Sequence, residues 1–421
     1  MNPGIAWQAF NPTTMSTNST LAVIVLSAGV LNMQNSCADA WPQRRGPLNN
    51  GISSETDWSN DWSVDGPSVA WKAQVGVGFS GISVAGDRAI TMGNAADQDS
   101  VMALDATTGV ELWRFAYPEA LNSKMYEGGP NSTPTIDGDL VFAVSRSGKV
   151  HTLDAATGAV RWQVDLPSTV GKTKNDWGVS GSPLVTGDRV FINYGNGATA
   201  LERSSGKVLW TMGGGDRNSF CTPVLVDAEG VEILLLHMKK ELIGVRPQDG
   251  TRVFKHSFGK GFETHCADPV VIPKGVFISS GDDGGERLSI GGNSAQRIWK
   301  NRNLGTFTGT AVYRDGYLYG LDAAAYKRAD QQLRCVSVND GSIAWSLSGY
   351  GQGSLIAAGD RLIVLSDQGE LSIVRATPTR GEVLATAQVL GGKCWTQPSL
   401  ADGRLYVRNA KGEVVCLKLK S

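Results

Sequence analysis

A field of one charge is missing from this chain: 39 lysines and arginines stand against 40 aspartates and glutamates. With no basic surplus there is nothing to hold a nucleic-acid backbone, and short basic runs such as Lys239-Lys240 read as solvated loop. Metal-ligand spacing is missing as well. None of the six cysteines lies in a CxxC pair or a Cys–His zinc pattern, so a structural zinc site is unsupported. The apolar stretch Leu21–Leu31 has eleven residues, too few for the ~20 that cross a bilayer.

That stretch suits the core of a secretory leader instead. Ala38-Asp39-Ala40 supplies a small-x-small cleavage site, which sets the expected mature start near Trp41. The leader is atypical, because residues 1–40 contain no lysine or arginine and a start at Met15 would not add one. Lipidation at Cys37 ranks second, since Gln34 stands where a lipobox wants a Leu-like side chain. The expected location is periplasmic or extracellular, with no transmembrane helix after cleavage. Five cysteines follow the leader, and an odd number leaves at least one unpaired in an oxidising compartment.

What the chain has in quantity is glycine, 52 residues with 16 prolines and no collagen period, which implies many tight turns. It also repeats itself. "ALDATTGVELW" (Ala103–Trp113) returns as "TLDAATGAVRW" (Thr152–Trp162) and more loosely as "ALERSSGKVLW" (Ala200–Trp210). In each unit a strand ends at the acid, a Gly-containing turn follows, and a second strand carries the tryptophan. In Val160-x-Trp162-x-Val164 large apolar residues alternate with polar ones, the mark of an outer strand packed on one face.

The equivalent positions are Trp71, Trp113, Trp162, Trp210, Phe254, Trp299, Trp345 and Leu384, separated by 42, 49, 48, 44, 45, 46 and 39 residues. Such a period belongs to four-stranded propeller blades. A second series of turns, from Gly86-Asp87 to Asp402-Gly403, interleaves with the first. "SVAWKAQV" (Ser68–Val75) has a Trp strand with no preceding partners, and "GEVVCLKLK" (Gly412–Lys420) has a third strand with no successor. Joining them completes one blade from both ends. The fold expected is all-β: an eight-bladed propeller of four-stranded antiparallel blades over residues 64–421, after a leader (1–40) and an extension (41–63). Burying one tryptophan gains roughly 4–6 kcal/mol gross, at roughly 25 cal/mol per Å². These side chains are therefore read as blade-to-blade core.

Chemistry is left to the segments that link each outer strand to the next blade, because they gather at one mouth of the channel. They bring Glu127, Asn131, Asp176, Trp177, Asp216, Arg217, Asn218, Glu263, His265, Asp268, Lys393 and Trp395. Two aromatic plates with carboxylates, an arginine, a lysine and a histidine are what a small-ligand pocket needs. Cys221 and Cys266 begin equivalent strands of successive blades, so they read either as a bridge or as two inert thiols. "SSGDDGGERL" (Ser279–Leu288) lacks EF-hand spacing and falls where a turn belongs. "LDAAAYKRADQQ" (Leu321–Gln332) is an overlong loop in the seventh unit.

Repeats of the form A-L-D-x-x-T-G-x-x-x-W, together with "WPQRRGPLNNG" (Trp41–Gly51), resemble the PQQ-like (pyrroloquinoline-quinone) propeller family. That family holds quinoprotein dehydrogenases and the non-catalytic outer-membrane assembly lipoprotein BamB, so the fold does not choose an activity. For an enzyme, the resemblance implies PQQ stacked on Trp177 and Ca²⁺ held by Glu127, Asn131, Asn218 or Glu263. Asp268 or Asp216 would be the base, acting on an alcohol, a sugar or a polyvinyl-alcohol-like polymer. Many such enzymes carry a disulfide between adjacent cysteines, and this chain has no adjacent pair. The expectation is therefore a monomeric, non-catalytic binding or scaffold protein of the cell envelope. It would need no cofactor and would meet an envelope protein or a small-molecule or polymer ligand at the channel mouth, with PQQ and Ca²⁺ reserved for the alternative.

Overall fold

Turn chemistry every few residues divides the chain into short strands. The computed structural model, which describes residues 40–63, 65–123, 126–173, 177–195, 197–212, 219–259, 265–323 and 331–420, gathers them into eight sheets. Seven have four strands and one has five. Blade 1 takes three strands from the C-terminal region, Ser399–Ala401, Arg404–Arg408 and Glu413–Lys418, and its outer strand from Val69–Gln74. Trp71 pairs with Cys416 and Ala73 with Val414, so the ring closes without an open edge at the junction. Blades 2 to 8 follow in chain order, from Ser83–Ala85 in blade 2 to Val383–Gln388 in blade 8. This is the expected architecture, including the shared blade.

The repeated motif works as read. The Asp105 carboxylate accepts from Thr107 N (3.0 Å), Thr108 N (2.7 Å) and Thr108 Oγ1 (2.8 Å). Gly109 takes φ +75° and closes the turn onto Asp105 O. Each tryptophan then lies on the glycine of the next blade's turn and donates its indole N–H to a turn carbonyl. Trp71 reaches Ala106 O (3.0 Å), Trp113 reaches Ala155 O (3.0 Å) and Trp162 reaches Arg203 O (2.9 Å). Trp210, Trp299 and Trp345 do the same with Pro247, Val338 and Thr377. One motif therefore supplies both halves of the blade-to-blade joint, the indole on one side and the turn on the other.

Pairing registers correct one position. Every outer strand skips a residue just before the tryptophan position, as when Leu104 pairs with Glu111 and Ala103 with Trp113. In blade 8 Val374 pairs with Val383 and Ile373 with Ala385. Ala385, not Leu384, thus stands in the tryptophan position. The reason is closure: blade 1 has no turn between its third and outer strands on which an indole could rest. The incoming chain fills that place with Trp58 and Trp62, which join the same apolar cluster as Leu384 and Ala385.

The segment after Ala40 crosses the central channel. Trp41 exchanges two backbone bonds of 2.8 Å with Val84 in blade 2, and Pro42 O accepts from Ile136 N in blade 3. Arg45 Nη2 donates to Ala311 O (3.0 Å) on the way into blade 7. Ile52–Ser53 adds a parallel strand to the inner edge of blade 8, opposite Ala357 and Ala358. The segment then returns along blade 1, where Ser59 N donates to Leu419 O. Read from sequence as an extension, it is the floor of the channel.

Candidate functional site

All eight linkers converge above this floor. A belt of bonds locks their order: Gly81 N donates to Thr133 Oγ1 (3.0 Å), Thr133 N to Ser182 Oγ (2.9 Å) and Ser182 N to Thr222 Oγ1 (3.0 Å). Thr222 N continues to Asp268 Oδ1 (2.7 Å), and Asp268 N to Thr310 Oγ1 (3.0 Å). Farther round, Ser354 Oγ donates to Thr396 O and Thr396 Oγ1 to Phe79 O. Each linker is pinned by the next, so the side chains above the belt stand on a stiff ring.

Together they enclose a cavity of about 360 Å³ lined by every linker and by Trp41, Arg44 and Arg45 from the floor. Its walls are aromatic. Phe79 stacks on Trp395 at 5.6 Å, with Tyr126 edge-on to Phe79 at 5.8 Å. Across the cavity Trp177 leans on Phe220 at 5.5 Å, and Phe307 adds another face. Between the rings lie Asn131, Ser180, Thr308, Gln352 and Gln397.

The expected site residues divide four ways. Asn131, Trp177, Lys393 and Trp395 line the cavity. Glu127 stands beside it: its carboxylate takes the Lys393 ammonium at 2.8 Å, which in turn sits 4.6 Å above the Trp395 ring. Asn131 Nδ2 is committed to Ser180 Oγ (3.0 Å) and Tyr126 OH (3.3 Å). Asp268 and His265 are buried in the wall and do not reach the cavity. Asp268 fills the belt place that Ser or Thr holds elsewhere, and its second oxygen binds Arg44 Nε at 2.7 Å. His265 bonds Met238 O through Nδ1 and packs against His237. Asp176, Asp216, Arg217, Asn218 and Glu263 lie outside the described residues.

Sequence reading missed Arg44, Trp41, Phe79, Tyr126 and Phe307. "WPQRRGP" carried a signal, since two arginines and a tryptophan are a strange composition for a spacer. Nothing local marks the others, because an aromatic at a strand entrance is ordinary core.

Charge on the floor is uneven. Burial opposes ionisation of Arg44, but Asp268 more than offsets it and holds the guanidinium above its ordinary value. Arg45 has no such partner and burial lowers its pKa to about 10. Cys266 also lines the cavity, where burial pushes its thiol up to about 12. All five described cysteines are free, so Cys221 and Cys266 are not bridged. Among the described residues no group of three His, Cys, Asp or Glu side chains is placed to hold a metal, and no helix is long and apolar enough to cross a membrane.

A ring of eight repeats, floored by the segment after Ala40 and open through a mouth of linkers, defines a PQQ-like propeller with a walled cavity. The chain belongs to the family described as outer membrane protein assembly factor BamB, whose family model matches residues 97–347. BamB from Moraxella catarrhalis has the same fold, with a TM-score of 0.62 at 18% identity over 84% of this chain and 98% of that one. So does quinohemoprotein alcohol dehydrogenase from Comamonas testosteroni, with a TM-score of 0.66 at 14% identity over 92% and 81%. A europium-containing methanol dehydrogenase aligns with a TM-score of 0.54 at 13% identity over 88% and 89%. At these identities the likeness is one of fold. No curated protein sequence matches the chain.

Proposed function

We propose that this chain is an exported, non-catalytic binding propeller of the cell envelope, which holds a small molecule or a segment of a partner in the mouth cavity. One observation carries the reading: eight linkers and the floor segment build an aromatic-walled cavity that no described carboxylate lines, the two nearby ones being paired with cations. Glu127 is held by Lys393, and both oxygens of Asp268 are taken. Such a site presents rings and hydrogen-bonding groups on a rigid frame, with no unpaired carboxylate in its lining among the described residues. The Cys266 thiol, pushed to about 12, is not a nucleophile near neutral pH. The apolar run Leu21–Leu31 and the small-x-small sequence before Trp41 support export, as does the family's description. Lipidation at Cys37 is the second route to the envelope.

The alternative, a PQQ- and Ca²⁺-dependent dehydrogenase, asks for hard oxygen donors and a base beside a stacking tryptophan. Trp177 is in place. The described carboxylates fit poorly: Asp268 lies in the wall with both oxygens bonded, and Glu127 would offer only the oxygen that Lys393 leaves. Purified protein mixed with PQQ and Ca²⁺ tests the point. The expected outcome is no quinone absorbance co-eluting with the protein and no dye reduction with alcohols. Co-elution with alcohol-dependent reduction, both lost in Trp177→Ala, would replace the binding reading with the enzyme.

A further inference from the structure

We infer that the cavity takes a ring-bearing ligand with one carboxylate, which docks on the Arg44 guanidinium at the floor while its ring lies against the aromatic wall. This deepens the binding reading above and rests on it.

The floor holds two guanidiniums and one carboxylate. Arg44 spends only Nε on Asp268. Its Nη1 and Nη2 make no bond among the described residues, and 22% of the side chain is exposed in the cavity. Directly behind, Arg45 is 1% exposed. Its Nε and Nη2 donate to the carbonyls of Asn49, Asn50 and Ala311, while Nη1 has no partner. The described rim adds no balancing charge, because Lys393 and Glu127 neutralise each other. Among the described residues one positive charge is therefore left over in a part-buried floor, where an uncompensated ion is costly.

A carboxylate against the Nη edge of Arg44 would balance the two cations with two anions. The guanidinium fork is suited to it: two parallel N–H bonds fit two carboxylate oxygens, a geometry that an ammonium does not offer. On the wall Gln352 is 5% exposed, lines the cavity and has no described side-chain partner. Its amide can meet a ligand hydroxyl or the second carboxylate oxygen. The ring requirement comes from the facing aromatics, Phe79–Trp395 on one side and Trp177–Phe220 on the other. Sugar rings and aromatic rings both stack on such plates. The shared chemistry is a flat or CH-rich ring bearing a carboxylate, and the volume of about 360 Å³ limits it to a small molecule or the end of a chain.

The test uses two matched pairs on the intact protein in a chelating buffer: glucuronate against methyl glucoside, and 2-naphthoate against 2-naphthylmethanol. Binding is read by calorimetry and by tryptophan fluorescence. In at least one pair the acid should bind at least about tenfold tighter than its neutral twin, with an advantage that shrinks in raised salt. Arg44→Gln, checked for an unchanged thermal transition, should erase that advantage, and Arg44→Lys should restore part of it. Whichever pair responds identifies the ligand as a sugar acid or an aromatic acid. Equal binding of acid and neutral twin, still lost in Trp395→Ala, would overturn the floor inference and leave the mouth site standing. So would an acid preference that survives Arg44→Gln. If none of the four probes binds, the binding reading and this inference fall together. The salt dependence in unmodified protein decides the case if Arg44→Gln does not fold.

Discussion

Asp99 and His151 show how single buried ionisable groups set the protein's response to pH. Asp99, 1% exposed, accepts from Asn94 Nδ2 at 2.7 Å, and burial raises its pKa to about 6. His151 packs on Tyr117 at 4.2 Å, and burial lowers its pKa to about 4. The signs oppose each other. The fold disfavours ionised Asp99, so its contribution falls as pH rises from about 4 to about 6. The fold disfavours charged His151, so its contribution falls as pH drops from about 6.5 to about 4. In the native chain the two slopes nearly cancel. Asp99→Asn should remove one of them and raise stability by roughly 2–3 kcal/mol at pH 7.5, with little gain at pH 4. Urea unfolding across that range should then show stability rising more steeply with pH in the variant than in the parent, where His237, also lowered by burial, adds a rise of its own.

At the scale of the element, the unit that matters is the joint between an outer strand and the next blade's turn. Gly158 has φ +71°, and a Cβ there would lie 2.6 Å from the Trp113 ring. Gly158→Ala should therefore cost roughly 2–3 kcal/mol, through backbone strain and a displaced indole. The 3.0 Å bond from Trp113 Nε1 to Ala155 O should weaken too, which red-shifted tryptophan emission would register. The strands, turns and tryptophans of these joints are all legible in the sequence, because local chemistry makes them. The bulge before each tryptophan is not, since a skipped residue shows only in the pairing. That is why Leu384 is read for Ala385, where a leucine beside an alanine looks the better core residue.

For the molecule as a whole, the floor segment ties together blades that are far apart in sequence. Trp41 is 2% exposed and anchors one end of that tie to Val84. Trp41→Ala should lose ~3 kcal/mol or more of local stability. Hydrogen exchange should then quicken together at Val84, Ile136 and Ala357, whose amides bond to Trp41, Pro42 and Gly51. Amides in the second and third strands of each blade should keep their protection. Exchange rising evenly around the ring would instead mean that the segment is part of one global unit.

By itself the sequence determined what repeats: the strand–turn–strand unit, its tryptophan, the count of eight and the blade shared between the two ends. Each of these is written in local residue chemistry and read again at every repeat. Of the site it determined the linkers but only some of the side chains. Asn131, Trp177, Lys393 and Trp395 face the cavity, whereas Asp268 and His265 turn into the wall. Only tertiary structure decided those directions, because an aspartate in a linker looks the same whether it faces a ligand or replaces a belt threonine. It alone also turned "WPQRRGP" from a spacer into a floor. That role depends on contacts between Arg44 and Asp268, 224 positions apart, and no local pattern records a contact at that separation.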